Sequence, residues 1–380
     1  MMKADRKTIL HVVEDLRIGG LERVIQTIVM GLDRGKYNVE VWCLAEGGEI
    51  ADEISEQGIP VKVLGMKSYY NPRRILELAF LLRVAEIDLI HSHGYFASTF
   101  ARLAGLKAGR TAMVRHMHTT DHRFNPRNMR IEALLSLYTD QVICVSQAVK
   151  TFAVETLGIP EIRTCVIYNT AFAKGNGSQG AGLEKRRAAL GIGVDDFVIL
   201  ALASLKRNKG HEVLLHAARQ LREKHSGIKC LIVGDGPLRG ELESEAEQLG
   251  LAGHVAFTGL QNDVTPYLEM AHTLVLPTLY REGLSVALIE GASAGLPLVG
   301  SNLGGIPEVI EHQENGFLVR PGDAGDLAAA IGQLIDNPAL RERMGMASRE
   351  IYKSRFTQRV ILRKIEALYD QVLKAKNHEA

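Results

Sequence analysis

The sequence predicts an α/β protein built from two doubly wound halves, each with a parallel sheet covered by helices. Short β-branched runs alternate with longer amphipathic runs from the first residues onward, which is the pattern of βαβ units. The alternation stops once, in a glycine-rich stretch from Ala173 to Gly182 that lacks apolar periodicity, and then restarts. With 380 residues, the chain is long enough for two domains. We expect a first domain over 1–172, a linker over 173–185, a second domain over 186–354 and a C-terminal helical segment over 355–380.

In the first half, short apolar runs that predict strands are separated by helical patterns. These runs are Thr8 to Val13, Asn38 to Leu44, Val61 to Leu64, Leu89 to His91, Ala112 to Arg115 and Gln141 to Val145. The segments Leu21 to Leu32 and Ile75 to Val84 each place their apolar residues on one helical stripe.

The second half repeats this order of strand and helix. The predicted strands are Phe197 to Ala203, Lys229 to Val233, Val255 to Thr258 and Thr273 to Pro277. Helical patterns begin at His211 and Leu238, cover Val264 to Met270, and end the chain from Phe356 to Leu373.

Composition excludes several classes of protein. The 45 basic and 44 acidic residues leave a net charge of +1, which argues against nucleic acid as a partner. The cysteines lie far apart in apolar runs and predict buried free thiols in a reducing compartment; they are Cys43, Cys144, Cys165 and Cys230. No apolar window reaches the ~18 residues of a membrane span, and the run after Lys7 is too short for a signal peptide. We therefore expect a cytoplasmic protein.

Glycine turns follow several predicted strands and precede helices. Gly19 and Gly20 open the first helix, where free backbone N–H groups favour an anion. Gly234 and Gly236 follow a strand of the second half, but the spacing to Gly240 is one residue too long for the dinucleotide fingerprint G-x-G-x-x-G. The sequence therefore argues against a nicotinamide cofactor, and we expect no cofactor.

The densest group of polar residues runs from Tyr280 to Glu290. Glu282 lies in a glycine turn, and Glu290 follows two turns along the helix that this turn opens, so both carboxylates can lie on one side. Glu290 stands among apolar neighbours, where an ionised carboxylate needs a partner. The pair predicts a site for an elongated polar ligand.

Together these motifs closely resemble the fourth family of retaining glycosyltransferases, the group 1 type with the two-domain GT-B fold. The resemblance covers essentially the whole chain. Its pieces are Gly19-Gly20-x-Glu22-Arg23, Ile87 to Gly94, His116-Met117-His118, Val145-Ser146, Ile167-Tyr168-Asn169, Lys209-Gly210, Val233 to Pro237, Phe257-Thr258-Gly259, the Glu-x7-Glu box of Glu282 and Glu290, and Gly304 to Glu308.

The resemblance implies two such domains facing across a cleft, with the last helix crossing back to the first domain, and a role for individual residues. Glu290 matches the carboxylate that binds the ribose hydroxyls of a nucleoside-diphosphate sugar, and Glu282 matches the residue at the hydroxyls of the transferred sugar. Lys209 matches the lysine that pairs with the diphosphate, and His118 matches a histidine near the sugar. The other implied donor contacts are Gly19, Gly20, Gly234, Gly259, Gly283, Leu284 and Ser285.

One departure concerns the second cation of the phosphate site. Ser204 stands where most members have arginine, so either Arg207 or Lys206 supplies the charge, or Lys209 acts alone. We assign Arg207 to the donor site as an expectation. The sequence has no Asp-x-Asp motif, and the resemblance implies a metal-independent transfer with retention at the anomeric carbon.

The histidines allow more than one interpretation. His118 follows the predicted strand Ala112 to Arg115 directly, which favours a place in the site. His91 and His116 suit equally a packed core or an interface, and His93 suits a loop-shaping role. The spacing of these histidines also suits zinc, but no cysteine or acidic cluster completes four ligands, so we expect no metal.

A basic segment from Ala101 to Ile131 gives a hint about the acceptor. Its basic residues are Arg102, Lys107, Arg110, Arg115, Arg123, Arg127 and Arg130, against Asp121 alone. Charge clusters are often only solvated faces, but this one follows His118 and predicts an anionic acceptor or the inner face of the cell membrane.

The resemblance favours transfer of a hexose or N-acetylhexosamine, with UDP as the favoured nucleotide, to a glycan or lipid-linked acceptor. Two alternatives stay open. A sugar-nucleotide 2-epimerase shares the fold and the ribose contact, and a non-catalytic sugar-nucleotide-binding protein would show a damaged glutamate box.

Overall fold

A computed structural model describes residues 6–66, 71–109, 111–120, 125–171 and 181–379. The chain forms two compact units. Unit 1 is Met1–Thr170 with Thr357–Ala380, and unit 2 is Ala171–Phe356.

Unit 1 is built on a seven-stranded parallel sheet. Its strands are β1 (Lys7–Val13), β2 (Tyr37–Cys43), β3 (Val61–Val63), β4 (Leu89–His93), β5 (Ala112–Met117), β6 (Gln141–Cys144) and β7 (Thr164–Val166). Their order across the sheet is β3-β2-β1-β4-β5-β6-β7, so the direction of winding reverses between β1 and β4. Ligands bind beside such a reversal in doubly wound sheets, at the carboxyl ends of the strands.

The helices of unit 1 connect these strands. They are α1 (Gly20–Gly31), α2 (Glu49–Glu56), α3 (Pro72–Val84), α4 (Tyr95–Ala108), α5 (Pro126–Ser136) and α6 (Gln147–Thr151), which continues as a π-helical turn over Phe152–Thr156. Local chemistry sets where they begin. The Asn71 side chain accepts a hydrogen bond from the Arg73 N–H at 3.1 Å, and Pro72 supplies the first helical residue of α3.

Unit 2 repeats the design with a six-stranded parallel sheet. Its strands are β8 (Phe197–Leu202), β9 (Ile228–Val233), β10 (Val255–Gly259), β11 (Thr273–Leu276), β12 (Leu298–Ser301) and β13 (Gly316–Val319), in the order β10-β9-β8-β11-β12-β13. Its helices are α7 (Ala181–Ala189), α8 (His211–Arg222), α9 (Arg239–Gln248), α10 (Thr265–Met270), α11 (Val286–Ala294), α12 (Ala324–Asp336) and α13 (Pro338–Arg355). A core of residues from both faces of the sheet and the surrounding helices holds the unit together.

The last helix, α14 (Gln358–Glu379), packs within unit 1. The Gln358 amide donates to the Thr27 carbonyl at 3.0 Å, and Asp370 accepts from Tyr37 at 3.0 Å and pairs with Lys36 at 2.5 Å. The grouping of this helix with the first unit follows the expectation from the resemblance.

The fold class predicted from the sequence is confirmed, with differences in detail. β4 and β5 run two residues further than predicted, to His93 and Met117, so His91, His93 and His116 lie inside strands. β7, β12 and β13 were not predicted, because three or four residues give only a weak periodic signal. Of the predicted linker, residues 173–180 lie outside the described residues, and α7 begins at Ala181, earlier than the expected end of the linker at 185.

Among the described residues, no helix combines the length and the apolar character needed to cross a bilayer.

Candidate active site

Lys209 and Glu282, the two charged residues that the sequence assigned to diphosphate and sugar, lie in contact. Lys209 ends a single 3-10 turn after β8, and Glu282 follows β11, which is the neighbour of β8 in the sheet. The Lys209 Nζ lies 2.7 Å from Glu282 Oε2, and the Thr278 hydroxyl donates to the same oxygen at 3.2 Å. Because Glu282 is buried, the ammonium group offsets the cost of removing its charge from water.

The backbone around Glu282 is tightly constrained. Arg281 adopts φ 60°, a left-handed conformation that is rare for residues other than glycine and is enriched at functional sites. Gly304 packs so closely that a Cβ there would lie 2.2 Å from the Glu282 carbonyl oxygen. The Gly305 N–H donates to the same carbonyl at 3.3 Å. The third glycine turn therefore supports the glutamate turn from behind.

Helix α11 carries the second half of the glutamate box. The Ser285 side chain accepts from the Leu288 N–H at 3.3 Å and thereby caps the helix, and Gly283 and Leu284 are buried in front of it. Glu290 is only partly buried, in contrast to the expectation of a buried carboxylate. It lies roughly 200° around the helix from Leu288, which faces the core, so it stays near solvent.

The remaining donor candidates of unit 2 lie at the same edge of the sheet. The Gly234 N–H donates to the Gly259 carbonyl at 3.0 Å where β9 and β10 end. Arg207 is exposed and forms loose pairs with Glu212 at 3.6 Å and Glu241 at 3.9 Å. Its assignment to the donor site stays a prediction.

His211 was not selected from the sequence, although it adjoins the predicted phosphate loop. Burial lowers the pKa of His211 to about 4, so the ring is neutral at neutral pH. Its Nε2 lies 3.2 Å from the Ser204 carbonyl and holds the loop in which Ser204 replaces the usual arginine. The sequence signal that could have identified His211 is its position at the start of a helix, directly after a lysine-glycine turn.

In unit 1, Gly19 precedes α1 and Gly20 is its first residue. The Glu22 carboxylate folds back over this turn, since a Cβ at Gly19 would lie 2.1 Å from Glu22 Oε2. Burial, with the nearby charge of Asp15, raises the pKa of Glu22 to about 7. Glu22 therefore holds a proton near neutral pH at the turn that was predicted to approach phosphate.

His118 follows β5 directly, and its ring nitrogens point inward. The Nε2 lies 3.1 Å from His93 Nδ1, and Nδ1 is buried although the residue as a whole is half-buried. The ring stacks on His116 with centroids 4.1 Å apart. Contact of His118 with a sugar stays a prediction.

Five histidines gather on this side of the unit 1 sheet: His11, His91, His93, His116 and His118. Burial lowers the pKa of His11 and of His118 to about 3 and that of the others well below the ordinary value, so all five rings are neutral. His11 was not selected from the sequence, because its place opposite His91 is set by the β1–β4 register.

Two histidine triads bring their nitrogen atoms within 4.8 Å of one another: His11/His91/His93 and His93/His116/His118. Neutral imidazoles are suitable ligands for zinc. Here the rings bind each other at 3.1–3.2 Å, and a metal would have to displace these hydrogen bonds.

The basic segment is smaller than the sequence suggested. Arg102 and Arg115 are buried and pair with Glu132, which lies just beyond the segment over which charges were counted. They are structural cations, so the prediction that they belong to a basic surface is wrong. Lys107, Arg127 and Arg130 are exposed, and Arg110 and Arg123 lie outside the described residues.

Two family models match the chain. The model described as glycosyl transferases group 1 matches residues 183–351, and the model described as glycosyltransferase family 4 matches residues 18–171. Both matches fall on the segments that carry the motifs described above.

Two relatives illustrate matches along most of both chains. The putative glycosyltransferase EpsD of Bacillus subtilis is 28% identical over 327 residues, 82% of this chain and 84% of its own. The UDP-Gal:alpha-D-GlcNAc-diphosphoundecaprenol alpha-1,3-galactosyltransferase of Escherichia coli is 23% identical over 355 residues, 87% of this chain and 89% of its own.

Solved structures agree with this assignment. Anabaena HepE in complex with UDP and glucose has a TM-score of 0.84 and 25% identity, covering 95% of this chain and 99% of HepE. The chain therefore belongs to the group 1 glycosyltransferases, with a family 4 first half and the GT-B fold.

Proposed function

We propose that this glycosyltransferase moves a hexose or N-acetylhexosamine from a nucleoside-diphosphate sugar, UDP favoured, to a glycan or lipid-linked acceptor, with retention and without a metal. The observation that carries the proposal is the Lys209–Glu282 pair at the carboxyl ends of β8 and β11. The UDP in HepE and the UDP-galactose and diphosphoundecaprenol named for the Escherichia coli relative support the choice of donor and acceptor class.

The proposed transfer requires stabilisation of the negative charge on the departing nucleoside diphosphate. A nucleoside diphosphate leaves with negative charge growing on its β-phosphate oxygen, and fixed donors aimed at that oxygen lower the barrier by about 3 kcal/mol each. Lys209 supplies the cation, and the start of α11 with Gly283, Leu284 and Ser285 supplies backbone N–H groups. When the donor binds, Lys209 turns to the phosphate and Glu282 accepts from the sugar hydroxyls.

Other residues position the donor. Thr278 holds the Glu282 carboxylate while Lys209 exchanges partners, because its hydroxyl donates to that carboxylate independently. Glu290, two turns along α11, binds the ribose hydroxyls. Glu290 is partly exposed, so its carboxylate is accessible to a ligand.

The first test is Glu290→Gln. A charged hydrogen bond to ribose is worth about 1.5–3 kcal/mol, so calorimetry should show UDP affinity falling about tenfold to a hundredfold. Glu247→Gln, on an exposed part of α9, is the matched control and should bind as wild type. Unchanged UDP affinity in the Glu290 variant would remove this residue from the donor site, and parallel titrations with GDP and ADP test the base.

The second test is activity in excess EDTA, which we expect to persist because Lys209 and backbone donors replace a metal. Loss of activity that magnesium or manganese restores would refute the metal-free proposal. The same assay separates the alternatives, since an epimerase converts the nucleotide sugar with no acceptor present and a binding protein consumes none.

For the acceptor side we propose a membrane surface, on the exposed side of α3, α4 and α5. Leu76, Phe80 and Val84 succeed one another at intervals of four residues along α3 and are 61%, 66% and 64% exposed. Further exposed apolar side chains lie on α4 and at the end of α5: Leu106, Leu134, Leu137 and Tyr138. We call these residues, with the exposed Arg73, Arg83, Lys107, Arg127 and Arg130, the α3–α5 face.

The α3 and α4 parts of the α3–α5 face are joined directly. Arg83 of α3 donates to the carbonyls of Lys107 and Ala108 at the end of α4. Apolar and basic side chains together suit an anionic bilayer, where each Lys or Arg near the surface adds about 1 kcal/mol. A purely solvated face would not need exposed leucines and phenylalanine.

Sedimentation with phosphatidylglycerol-containing vesicles tests this surface. We expect Leu76→Ser with Phe80→Ser to reduce binding, and Arg123→Ser with Arg127→Ser and Arg130→Ser to reduce it most at low ionic strength. Ile162→Ser, at a still more exposed apolar residue elsewhere in unit 1, is the control. If both variants bind the vesicles as the wild type does, the α3–α5 face is only a solvated surface.

A further inference from the structure

The loop between β8 and α8 carries Lys209, the cation of the proposed donor site. We call residues 203–210 the lysine loop. The first part of this loop is held by the turn that follows β9, because the Leu205 N–H donates to the Asp235 carbonyl at 3.0 Å. Leu205 is also completely buried. Ser204, which directly precedes it, therefore lies at a fixed point of unit 2.

The second part of the lysine loop is held by the segment that follows β11. The Leu279 N–H donates to the Asn208 carbonyl at 2.8 Å. Gly210 adopts φ 68°, and a Cβ there would lie 2.0 Å from the Pro277 carbonyl oxygen. Only glycine fits this left-handed position so close to a neighbouring carbonyl group. Lys209 therefore lies between two residues that both contact the segment leading to the glutamate box.

His211, the first residue of α8, joins the two parts of the loop. It is 3% exposed, and its Nε2 lies 3.2 Å from the Ser204 carbonyl oxygen. A carbonyl oxygen can only accept, so Nε2 carries the ring proton and donates it. The Lys206 N–H donates to the same carbonyl at 2.8 Å. The Ser204 carbonyl is thus the point at which the lysine loop closes.

Packing does not account for a histidine at this position. With the proton on Nε2, Nδ1 of His211 is a bare acceptor, and it is buried with no hydrogen-bond partner among the described residues. Burying an unpartnered polar atom is unfavourable, and an apolar side chain of similar size would avoid it. What histidine adds over such a side chain is the bond to Ser204, which connects the chain on both sides of Lys209.

The ring adds this bond without adding charge. Burial lowers the pKa of His211 to about 4, and the nearby Lys209 ammonium group acts in the same direction. His211 is therefore neutral at neutral pH and does not supply a second cation. The placement of Lys209 matters more in this chain, because Ser204 stands where most members of the family have arginine.

We propose that His211 is a positioning residue, which keeps the lysine loop closed and so holds the Lys209 ammonium group where the diphosphate binds. The proposal rests on the proposed function, which pairs Lys209 with the diphosphate. The bond between His211 and Ser204 does not depend on that function. Small displacements are costly in such a site, since a shift of about 1 Å can reduce a rate about a hundredfold.

Hydrogen exchange of the free protein tests the bond without any ligand. In His211→Asn the side chain is too short to place a donor where Nε2 lies, whereas the amide of His211→Gln reaches that place. We expect amide exchange in a peptide covering residues 204–210 to be about fivefold faster in His211→Asn and close to wild type in His211→Gln. His216→Asn, at an exposed histidine of the same helix, is the control. Wild-type exchange in His211→Asn would overturn the proposal.

Nucleotide binding tests the link to Lys209. Calorimetry with the tightest ligand among UDP, GDP and ADP should show affinity falling about fivefold in His211→Asn and little in His211→Gln. In a Lys209→Met background, His211→Asn should cause no further loss, because no ammonium group remains to be positioned. A merely structural role would persist in that background. An equal loss in both backgrounds, or an equal loss in the Asn and Gln variants, would overturn the proposal.

These experiments separate the role of His211 from the proposed function. If the wild type binds none of the three nucleotides, the proposed donor and the role of Lys209 are rejected, and exchange reports the loop bond alone. If the wild type and His211→Asn bind nucleotide equally well, only the proposal for His211 is rejected.

The wild-type ring decides the matter if His211→Asn does not fold. Nitrogen-15 NMR, with the signal assigned by comparison with His211→Gln, should show an Nε2–H ring that does not titrate between pH 8 and about pH 6. An Nδ1–H ring, or a ring that titrates in this range, would overturn the proposal.

Discussion

The two faces of the unit 1 sheet bury polar groups in opposite ways. Arg115 and His116 are neighbours in β5, so their side chains point to opposite faces. On one face Arg115 and Arg102 share Glu132 in a buried ionic group, with both Arg102–Glu132 contacts at 2.7 Å. On the other face the five clustered histidines carry no charge.

The pKa shifts follow this division. Burial lowers the pKa of Arg115 only to about 10, because Glu132 opposes the change, and the guanidinium stays charged. Burial alone would raise the pKa of Glu132, but Arg102 and Arg115 outweigh it and the net shift is downward. The histidines have no such compensation and stay neutral. A buried group in this sheet therefore keeps its charge only where the fold supplies a counter-charge.

Removing the counter-charge should have the largest effect. Glu132→Gln leaves two buried arginines without an anion, and we expect unfolding in urea to show a loss of about 3–5 kcal/mol. Glu161→Gln, an exposed glutamate of the same unit paired with Lys150, should change stability by less than about 1 kcal/mol. Equal losses in the two variants would contradict the contrast between the faces.

As the pH is lowered, the clustered histidines should lose stability for the protein before the ionic group around Glu132 does. Below the unfolded pKa of 6.5 the unfolded rings bind protons and the folded rings do not, so stability falls as pH decreases, by about 1.4 kcal/mol per pH unit for each histidine. The ionic group is unaffected until about pH 4.5, because Glu132 has a lowered pKa. Urea midpoints between pH 7.5 and 5 measure the slope.

His11→Gln provides the internal comparison for this titration. It removes one of the rings with a pKa of about 3, so the stability slope should decrease by one proton. A slope identical to that of the wild type, or no slope at all in this range, would mean that these rings do not stay neutral.

Glu22 is a carboxylate without a strong counter-charge. Its pKa is raised to about 7 by burial and by Asp15 and Glu14, so it lowers stability as pH rises from 4.5 to 7. Glu22→Gln should therefore raise the free energy of unfolding by up to about 1 kcal/mol at pH 8 and leave it unchanged at pH 4. The value at pH 8 is discounted because the side chain is partly exposed. Glu49→Gln, exposed in the first turn of α2, is the control; a loss at pH 8 would contradict the prediction.

The smallest effect concerns Cys144, which lies near Arg115. Burial raises the pKa of this thiol to about 12 although Arg115 opposes the shift. Thiolate is the reactive form, so iodoacetamide at pH 8 should leave Cys144 unlabelled in the folded protein and label it in urea. Rapid labelling without urea, followed by mass spectrometry, would show that the guanidinium outweighs burial.

Much of the fold was predictable because it depends on local pattern. Alternating apolar runs specify strands and helices, and the order of these elements predicts doubly wound sheets. The predictions for Lys209 and Glu282 place them at the ends of separate strands, and the sheet order brings those ends together. The pattern did not predict where strands end, as at His93 and His116, or how far a side chain is buried, as at Glu290.

The fold class, the family and the residue types of the candidate donor site were all readable from the amino-acid pattern. The pairing of charges was not, because it depends on the folded chain: Arg102 and Arg115, predicted as part of a basic surface, form a buried group around Glu132. The fold also brings Tyr369 to His11, 358 residues away in the chain. Burial and partners depend on distances between side chains remote in sequence, and for an ionisable group these distances determine whether it is charged.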